Sequence, residues 1–183
     1  MLQKEMFCLK KNNELIKGYL AEALLNLMKE KDFKNITITE ITQKAGVSRM
    51  TYYRYYCYKE DILDDYVTGI IEEYKKIREK IDKNDYYSLV KSAFDLFYEY
   101  QDLFNALDKC NFSTIAQNKI NEYITIFYPN YREELIEEYR LYILSGALYN
   151  VGKTWINKGL KEDSATISKI FVDKLYPKEK NLQ

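Results

Sequence analysis

A short stretch of the sequence carries side chains that can form hydrogen bonds with an anionic partner. Arg49 can present two parallel N–H donors from its guanidinium. Further donors are three hydroxyls and an ammonium, those of Thr51, Tyr53, Tyr55 and Lys59. A guanidinium suits the O6 and N7 atoms of guanine, whereas hydroxyls and an ammonium suit phosphate oxygens. These residue types therefore indicate recognition of a polyanion.

The sequence offers little of what catalysis needs. It has no histidine, no glycine-rich phosphate loop, and no serine or cysteine in the context of a nucleophile, so general-base chemistry would rest on carboxylates alone. Cys8, Cys57 and Cys110 are odd in number and far apart, which is typical neither of a disulfide framework nor of a zinc site. We therefore expect no enzymatic activity, no metal and no cofactor.

Strong helix signals flank the stretch around Arg49. Thr37 and Glu40 have the spacing of a capping box, in which each side chain satisfies a backbone N–H of the other residue. Gly46 can take the left-handed conformation that ends this first helix, and Ser48 is a good N-cap for a second helix. The segment 36–56 therefore has the proportions of a helix-turn-helix unit.

The apolar residues of this unit predict which face is free. Its small core is expected to contain Ile41, Val47, Tyr52 and Tyr56. With those side chains inside, Arg49, Met50 and Tyr53 lie on the adjoining arc of the second helix, where they could enter a major groove.

Helical periodicity continues through the rest of the chain. Apolar residues predict a helix over 14–30 and a long helix over 59–81. Further helices are predicted at 86–99, 101–109, 113–128, 130–159 and 163–176. Only six glycines and two prolines are present, which argues against the many tight turns of an all-β fold. We predict an all-α fold with an N-terminal helix-turn-helix domain (1–58) and a larger helical-bundle C-terminal domain (59–183), linked by the helix of 59–81.

Charge is distributed unevenly along the chain. Residues 1–59 hold 11 Lys and Arg against 6 Asp and Glu, and residues 60–183 hold 17 against 22. A basic N-terminal part suits a protein that presents one end to a polyanion. No apolar run approaches the ~18 residues of a membrane span, and no secretion signal is recognisable. We therefore expect a cytoplasmic protein without a membrane partner.

Residues 36–63, ITITEITQKAGVSRMTYYRYYCYKEDIL, resemble the DNA-binding head of TetR-type (TetR/AcrR) transcriptional regulators. The shared landmarks are Ala45-Gly46-Val47-Ser48, Thr51, Tyr53, Lys59-Glu60-Asp61 and Leu63. The resemblance implies three helices in this domain and a double-stranded DNA operator as partner. It implies DNA contacts by Thr37, Thr39, Arg49, Met50, Thr51, Tyr53, Tyr55 and Lys59.

Three positions depart from the family pattern. Tyr56 stands where phenylalanine is usual, so its hydroxyl needs a partner or solvent. Tyr58 stands where a capping serine or asparagine is usual, so the following helix could begin less sharply. Met50 is long and flexible where many members carry a small residue, which leaves the base contacts at this position open.

The resemblance also implies an effector pocket in the C-terminal domain, since the body helices of TetR-type proteins commonly enclose one. Candidate pocket residues are Phe94, Phe97, Tyr98, Phe104, Tyr123, Phe127 and Tyr142. Aromatic residues at helical spacing are more often core than binding site, so that alternative stays open for each of them. The absence of histidine and the few charges among these aromatics favour an uncharged or amphipathic effector.

The segment 139–159 resembles a TetR-type subgroup in which a glycine-containing apolar helix precedes a tryptophan and a terminal helix. This resemblance implies a homodimer in which the last two long helices of each subunit form a four-helix bundle. The candidate interface residues are Leu144, Gly146, Leu148, Ile170 and Phe171. The alternative is that these residues pack only within one subunit.

Taken together, these features predict a repressor that a small-molecule effector releases from a pseudo-palindromic operator, with half-sites spaced roughly 34–36 Å or a multiple of it. The alternative is a TetR-like co-regulator that acts through a protein partner rather than by binding an operator directly.

Overall fold

The computed structural model describes the backbone of residues 2–127 and 135–175, and the side chains of residues 13–124 and 139–175. Within these ranges the chain forms α-helices, one short 3-10 helix and no β-strand. The first elements are α1 (Leu2–Glu30), the 3-10 helix (Phe33–Asn35), α2 (Ile38–Ala45) and α3 (Arg49–Tyr53). They are followed by α4 (Glu60–Arg78), α5 (Tyr86–Glu99), α6 (Gln101–Lys109), α7 (Ser113–Phe127), α8 (Leu135–Asn157) and α9 (Ser164–Leu175). The predicted all-α fold class is confirmed.

The chain divides into two compact units, which we call the head (residues 1–66) and the body (residues 67–183). The division falls within α4, the helix that was predicted to link the two domains. This helix ends at Arg78 rather than at the predicted Ile81. Among the described residues, no helix is long and apolar enough to cross a membrane.

The first helix supplies much of the core of the head. α1 begins at Leu2, well before the predicted start at residue 14. Along it Leu20 and Leu24 are fully buried, and Leu27 and Met28 are 7% and 6% exposed. Their spacing of three and four residues places them on one side of the helix, as the apolar stripe of the sequence predicted.

α2 begins and ends as its sequence signals predicted. The Thr37 hydroxyl accepts the backbone N–H of Glu40 at 3.3 Å, and the Glu40 carboxylate accepts the backbone N–H of Thr37 at 2.9 Å. Gly46 ends the helix with a φ of 69°, a left-handed conformation that strains any residue carrying a Cβ. A capping box and a glycine therefore fix both ends of this short helix.

α3 is shorter than predicted, because it ends at Tyr53 and not at Tyr56. The backbone N–H of Arg54 bonds the Thr51 carbonyl at 3.3 Å, and that of Tyr55 bonds the Tyr52 carbonyl at 2.9 Å. These i→i−3 bonds are those of a tightened last turn. Tyr56 lies beyond the turn and is buried, as the sequence predicted.

The helices of the body lie close to their predicted positions. α5 and α6 have the predicted bounds. α7 ends one residue before its predicted end, and α9 is one residue shorter than predicted at both ends. α8 ends at Asn157, followed by Gly159 with a φ of 80°. Its predicted start at residue 130 lies outside the described residues.

Candidate nucleic-acid interface

A small apolar core and a second cap hold α2 and α3 together. Ile41 of α2 and Tyr52 of α3 are fully buried. The Ser48 hydroxyl accepts the backbone N–H of Thr51 at 3.0 Å and so caps the start of α3. The pair of helices has the arrangement of a helix-turn-helix unit, and a side-chain cap satisfies one backbone donor in the first turn of each helix.

The exposed arc of α3 carries the side chains that were predicted to enter a groove. Arg49 is exposed, Met50 is 82% exposed and Tyr53 is 51% exposed. Positions i and i+4 of a helix lie on one face, so Arg49 and Tyr53 are neighbours, and Met50 is exposed beside them. Thr39 is also exposed near the start of α2. The structure therefore presents a guanidinium, a thioether, a phenol and a hydroxyl to solvent.

Thr37, another predicted contact, uses its polar atoms within the capping box. Its hydroxyl donates to the Glu40 carboxylate at 2.8 Å while accepting the Glu40 backbone N–H. The Lys31 ammonium, followed by the backbone N–H and the hydroxyl of Thr37, lowers the pKa of Glu40 to about 2. Glu40 is thus a carboxylate at neutral pH, as the cap requires.

Two further predicted contacts also have partners within the head. The hydroxyls of Thr51 and Ser48 lie 2.9 Å apart and are hydrogen bonded. The Tyr55 hydroxyl donates to Oδ1 of Asn13 on α1 at 2.6 Å. Contacts of Thr51 and Tyr55 with phosphate stay predictions, and each would have to be made beside these bonds.

Lys59 has a structural position that the sequence did not reveal. Its ammonium donates to the backbone carbonyls of Phe33 at 2.6 Å, Ile36 at 2.8 Å and Lys34 at 3.4 Å. The same Nζ atom lies 4.5 Å from the centre of the Phe33 ring, a cation–π contact. An ammonium has three N–H donors, so these carbonyls occupy all of them. Lys59 therefore fixes the segment that leads into α2, and its contact with phosphate stays a prediction.

The buried hydroxyl of Tyr56 finds a partner on α4. It donates to Oδ2 of Asp65 at 2.7 Å, and Oδ1 of the same carboxylate accepts from the Lys17 ammonium at 3.0 Å. Burial, followed by the hydrogen bond to Asp65, raises the pKa of Tyr56 well above that of a free phenol. The Asp65 carboxylate of α4 therefore links the segment after α3, through Tyr56, with α1, through Lys17.

The start of α4 is organised by an aspartate instead of the usual capping residue at position 58. Oδ2 of Asp61 accepts the backbone N–H groups of Cys57 at 2.9 Å and Tyr58 at 2.7 Å. Sequence reasoning missed Asp61 and Asp65 as partners. The available signal was that Asp61 and Asp65 lie one turn apart near the start of a helix, where carboxylates can accept hydrogen bonds from neighbouring residues.

The body contains a partly open cavity of about 130 Å³. Among the candidate pocket residues, Phe97, Phe104 and Tyr123 line it. Phe94 does not: it is fully buried and packs edge-on against Trp155 and Phe171.

The remaining candidate pocket residues lie elsewhere. Tyr98 and Tyr142 are 55% and 47% exposed, and neither lines the cavity. The side chain of Phe127 lies outside the described residues.

The candidate interface residues differ in their exposure to solvent. Ile170 of α9 is 51% exposed, whereas Phe171 is buried and Leu144 and Leu148 line the cavity. Gly146 is half-buried. Sequence reasoning missed three exposed apolar side chains of α8, those of Tyr139, Tyr142 and Ile143. Their spacing of three and four residues was the signal for a second, outward stripe on this helix.

Among the described residues, no group of histidine, cysteine or acidic side chains is arranged to hold a metal ion. Cys57 is exposed and Cys110 is half-buried, and neither forms a disulfide with a described residue.

Comparison with known proteins agrees with the geometry of the head. Residues 20–66 match the family described as "Bacterial regulatory proteins, tetR family". The chain is 37% identical over 84 residues to "Uncharacterized HTH-type transcriptional regulator YxbF" of Bacillus subtilis (strain 168). That match covers 46% of this chain and 18% of the relative, so the chain spans less than a fifth of its length.

Two solved structures share the whole fold. "Dihydroxyacetone kinase operon activator DhaS" superposes with a TM-score of 0.65 at 16% identity, covering 87% of this chain and 93% of that one. A TetR transcriptional regulator from Streptococcus agalactiae 2603V gives a TM-score of 0.63 at 18% identity, with 93% and 98% covered.

The resemblance to TetR-type regulators is therefore confirmed. Within the head, residues 20–66 match the tetR family model, and the helical fold of the chain is similar to that of these structures. The matched family consists of regulatory proteins, which agrees with the expectation that the chain is not an enzyme.

Proposed function

From a tetR-type helix-turn-helix head on an all-helical body, we propose that this chain is a DNA-binding transcription regulator. Its operator is a pseudo-palindrome that a homodimer binds, and its output is repression relieved by a small molecule. The observation that carries the proposal is the exposed arc of Arg49, Met50 and Tyr53 on a helix that is fixed in the head by the fully buried Tyr52. A recognition helix must be held in place by buried side chains and must expose hydrogen-bond donors to the DNA.

The exposed side chains are expected to have two roles, which are to recognise bases and to position the protein on the DNA backbone. Arg49 supplies the bidentate donor pair for guanine, and Met50 and Tyr53 offer apolar contact beside it. Thr39 and the hydroxyl of Tyr53 are suited to phosphate. Lys59 contributes chiefly by fixing the segment before α2, since three backbone carbonyls already receive its donors.

Homodimerisation is supported by the outward stripe of α8. Tyr139, Tyr142 and Ile143 are 62%, 47% and 60% exposed, and Ile170 of α9 is exposed as well. A patch of this kind is typical of a protein–protein interface. Burying it against a second copy of the chain brings two heads to two half-sites.

The response to an effector is proposed to pass through α4. Asp61 and Asp65 of this helix bond residues of the head, and Val67, Ile70 and Tyr74 of the same helix line the cavity in the body. A ligand that favours one position of α4 shifts the spacing of the heads. A ligand with equal affinity for both positions shifts nothing.

The test is a titration of the purified chain with the DNA upstream of its own gene, in comparison with DNA of scrambled sequence. Arg49→Ala should lower affinity for the specific site about 5- to 150-fold and reduce sequence preference, because a bidentate base contact contributes about 1–3 kcal/mol. Arg54→Ala is the matched control, since Arg54 is also exposed but lies just beyond α3. Affinity should fall steeply with added salt if phosphate contacts are made.

Two outcomes would count against the proposal. Equal affinity of wild type and the Arg49→Ala variant for the specific site would remove the role of the exposed arc. Failure of the wild type to bind any upstream DNA would favour the co-regulator that acts through a protein partner. A promoter fusion compared with and without the gene then gives the sign of control, with higher expression in its absence expected for a repressor.

A further inference from the structure

The cavity in the body has walls of one chemical kind. All but four of its lining residues are aliphatic side chains or phenylalanine, and the four are Tyr74, Arg78, Tyr86 and Tyr123. The hydroxyl of Tyr74 donates to the Leu89 carbonyl at 3.2 Å, so it is engaged by the protein. The walls offer a ligand mainly apolar contact.

The size of the cavity restricts its occupant. Its volume is about 130 Å³. An apolar cavity of about 150 Å³ in a protein core stays dry and binds benzene. The space therefore suits one aromatic ring with at most a small substituent, and any larger part of a ligand would lie outside it.

The charges around the cavity restrict its occupant further. No carboxylate of the described residues lines it, so a buried cation would have no counter-ion among them. Within the same described part of the chain, Arg78 is the one charged lining residue, and it is half-buried at the last position of α4. An anion would leave water for walls that are otherwise apolar. The lining favours an uncharged molecule.

Two phenylalanine rings form a flat wall of this cavity. Phe97 and Phe104 both line it and stack with their centres 4.4 Å apart and their planes at 27°. Behind Phe97 lies Gly152 of α8, where an added Cβ would be 2.7 Å from the Phe97 ring. That distance is far below van der Waals contact, so a side chain at position 152 would displace the ring. The absence of a side chain at Gly152 therefore allows the Phe97 ring to take its observed position in the wall of the cavity.

We propose that the cavity of the body binds a small, uncharged, single-ring aromatic compound, and that this compound is the effector. The inference rests on the proposed function for its regulatory part only. The stacked Phe97 and Phe104 rings form the aromatic wall of the site. Gly152 is a positioning residue that acts through Phe97.

The probes for the test are toluene, benzoate and benzylamine, which share a ring and differ in charge. Calorimetric titration of the full chain should show saturable binding of one toluene per chain, with an upward shift of Tm. Benzoate and benzylamine should bind at least about 10-fold more weakly, because a charged group loses its hydration on entering an apolar site. Benzoate binding as tightly as toluene would overturn the assignment of an uncharged ligand.

Variants of the lining residues separate the cavity from other sites on the chain. Ala116 lines the cavity and is fully buried, so Ala116→Leu should fill the space and abolish toluene binding. Ala106 of α6 is also buried but does not line the cavity, and Ala106→Leu is the matched control that should keep binding. Retention of toluene binding by a folded Ala116→Leu variant would overturn the site.

Two more variants keep the proposal testable if leucine at position 116 prevents folding. Leu148→Ala should enlarge the cavity and increase the affinity for a bulkier neutral ring compound such as naphthalene. Gly152→Ala should weaken toluene binding by displacing Phe97. Unchanged affinities in both variants would overturn the proposal.

The regulatory part has its own readout. Toluene should lower the affinity of the wild-type chain for its upstream DNA and leave that of the Ala116→Leu variant unchanged. Toluene binding without any change in DNA affinity would overturn its role as effector. DNA binding by a chain that binds no toluene would overturn this ligand class while leaving the proposed function intact.

Discussion

The head and the body use aromatic side chains in different ways. In the head, the hydroxyls of Tyr55 and Tyr56 make directional hydrogen bonds to Asn13 and Asp65. In the body, the Phe94 ring packs against other aromatic rings, and a phenylalanine side chain has no atom that could form a hydrogen bond. The comparison teaches that these two tyrosines of the head are positioned by single polar partners, whereas the phenylalanines of the body are positioned by filled volume. Substitutions that remove one or the other should therefore have different signatures.

The largest effect is expected in the core of the body. Phe94→Ala should lower the free energy of unfolding by about 3–5 kcal/mol, because it removes a fully buried ring and leaves a cavity among Phe97, Trp155 and Phe171. Urea unfolding followed by circular dichroism measures the loss. Tyr98→Ala is the control: Tyr98 is 55% exposed, so its loss should cost less than about 1 kcal/mol. Equal losses in the two variants would contradict the volume argument.

The next effect tests whether a single polar group positions the head. Lys59→Met should lower the free energy of unfolding of the DNA-free chain by about 1.5–3 kcal/mol, because hydrogen bonds from a charged donor to the Phe33 and Ile36 carbonyls are lost. Lys34→Met is the control, since the Lys34 side chain is 80% exposed. If Lys59→Met weakened DNA binding and left stability unchanged, Lys59 would be a phosphate contact alone.

A smaller effect is expected at the first cap of the helix-turn-helix unit. Thr37→Ala should cost about 1 kcal/mol in unfolding free energy, since the Glu40 backbone N–H loses its acceptor. Thr37→Ser keeps the hydroxyl and should retain most of the stability. Chemical denaturation of the three proteins under identical conditions gives the ranking. A serine variant as weak as the alanine variant would show that the methyl group, not the cap, matters.

The smallest effect is a pH dependence at the same cap. The pKa of Glu40 is lowered from 4.5 to about 2, so its ionised form stabilises the folded state. The contribution is fully present above the unfolded-state pKa and is lost as the pH falls from about 4.5 through about 2. Glu40→Gln can still accept a hydrogen bond but does not titrate. The stability difference between the two proteins should therefore shrink across this acid range. A constant difference would contradict the lowered pKa.

The same contrast explains what the sequence could and could not predict. Thr37, Gly46 and Ser48 act on backbone groups within three or four residues, so their roles follow from local spacing, and the structure has all three as predicted. The bonds of Lys59 to Phe33 and Ile36 join segments more than twenty residues apart in sequence. No local pattern marks such a contact, and lysine at a helix start is equally typical of a phosphate ligand.

The aromatic residues of the body show the same limit more strongly. Phe94 and Phe97 lie in one helix at adjacent positions of the same face, yet Phe97 lines the cavity and Phe94 does not. They differ in what they pack against: the Phe97 ring lies against Gly152 of another helix, whereas Phe94 packs on Trp155 and Phe171. Helical periodicity predicts that a side chain points inward. It does not predict whether the space beyond is filled.

The chain has a single tryptophan, and its place in the body has a practical consequence. Trp155 is 2% exposed, lies edge-on to Phe94 and donates its indole N–H to the Glu162 carbonyl at 2.9 Å. The head holds tyrosines but no indole, so tryptophan fluorescence is a built-in optical reporter of the body alone. Emission and helix content recorded on one sample would diverge if the two units melted in separate steps, without any label being attached.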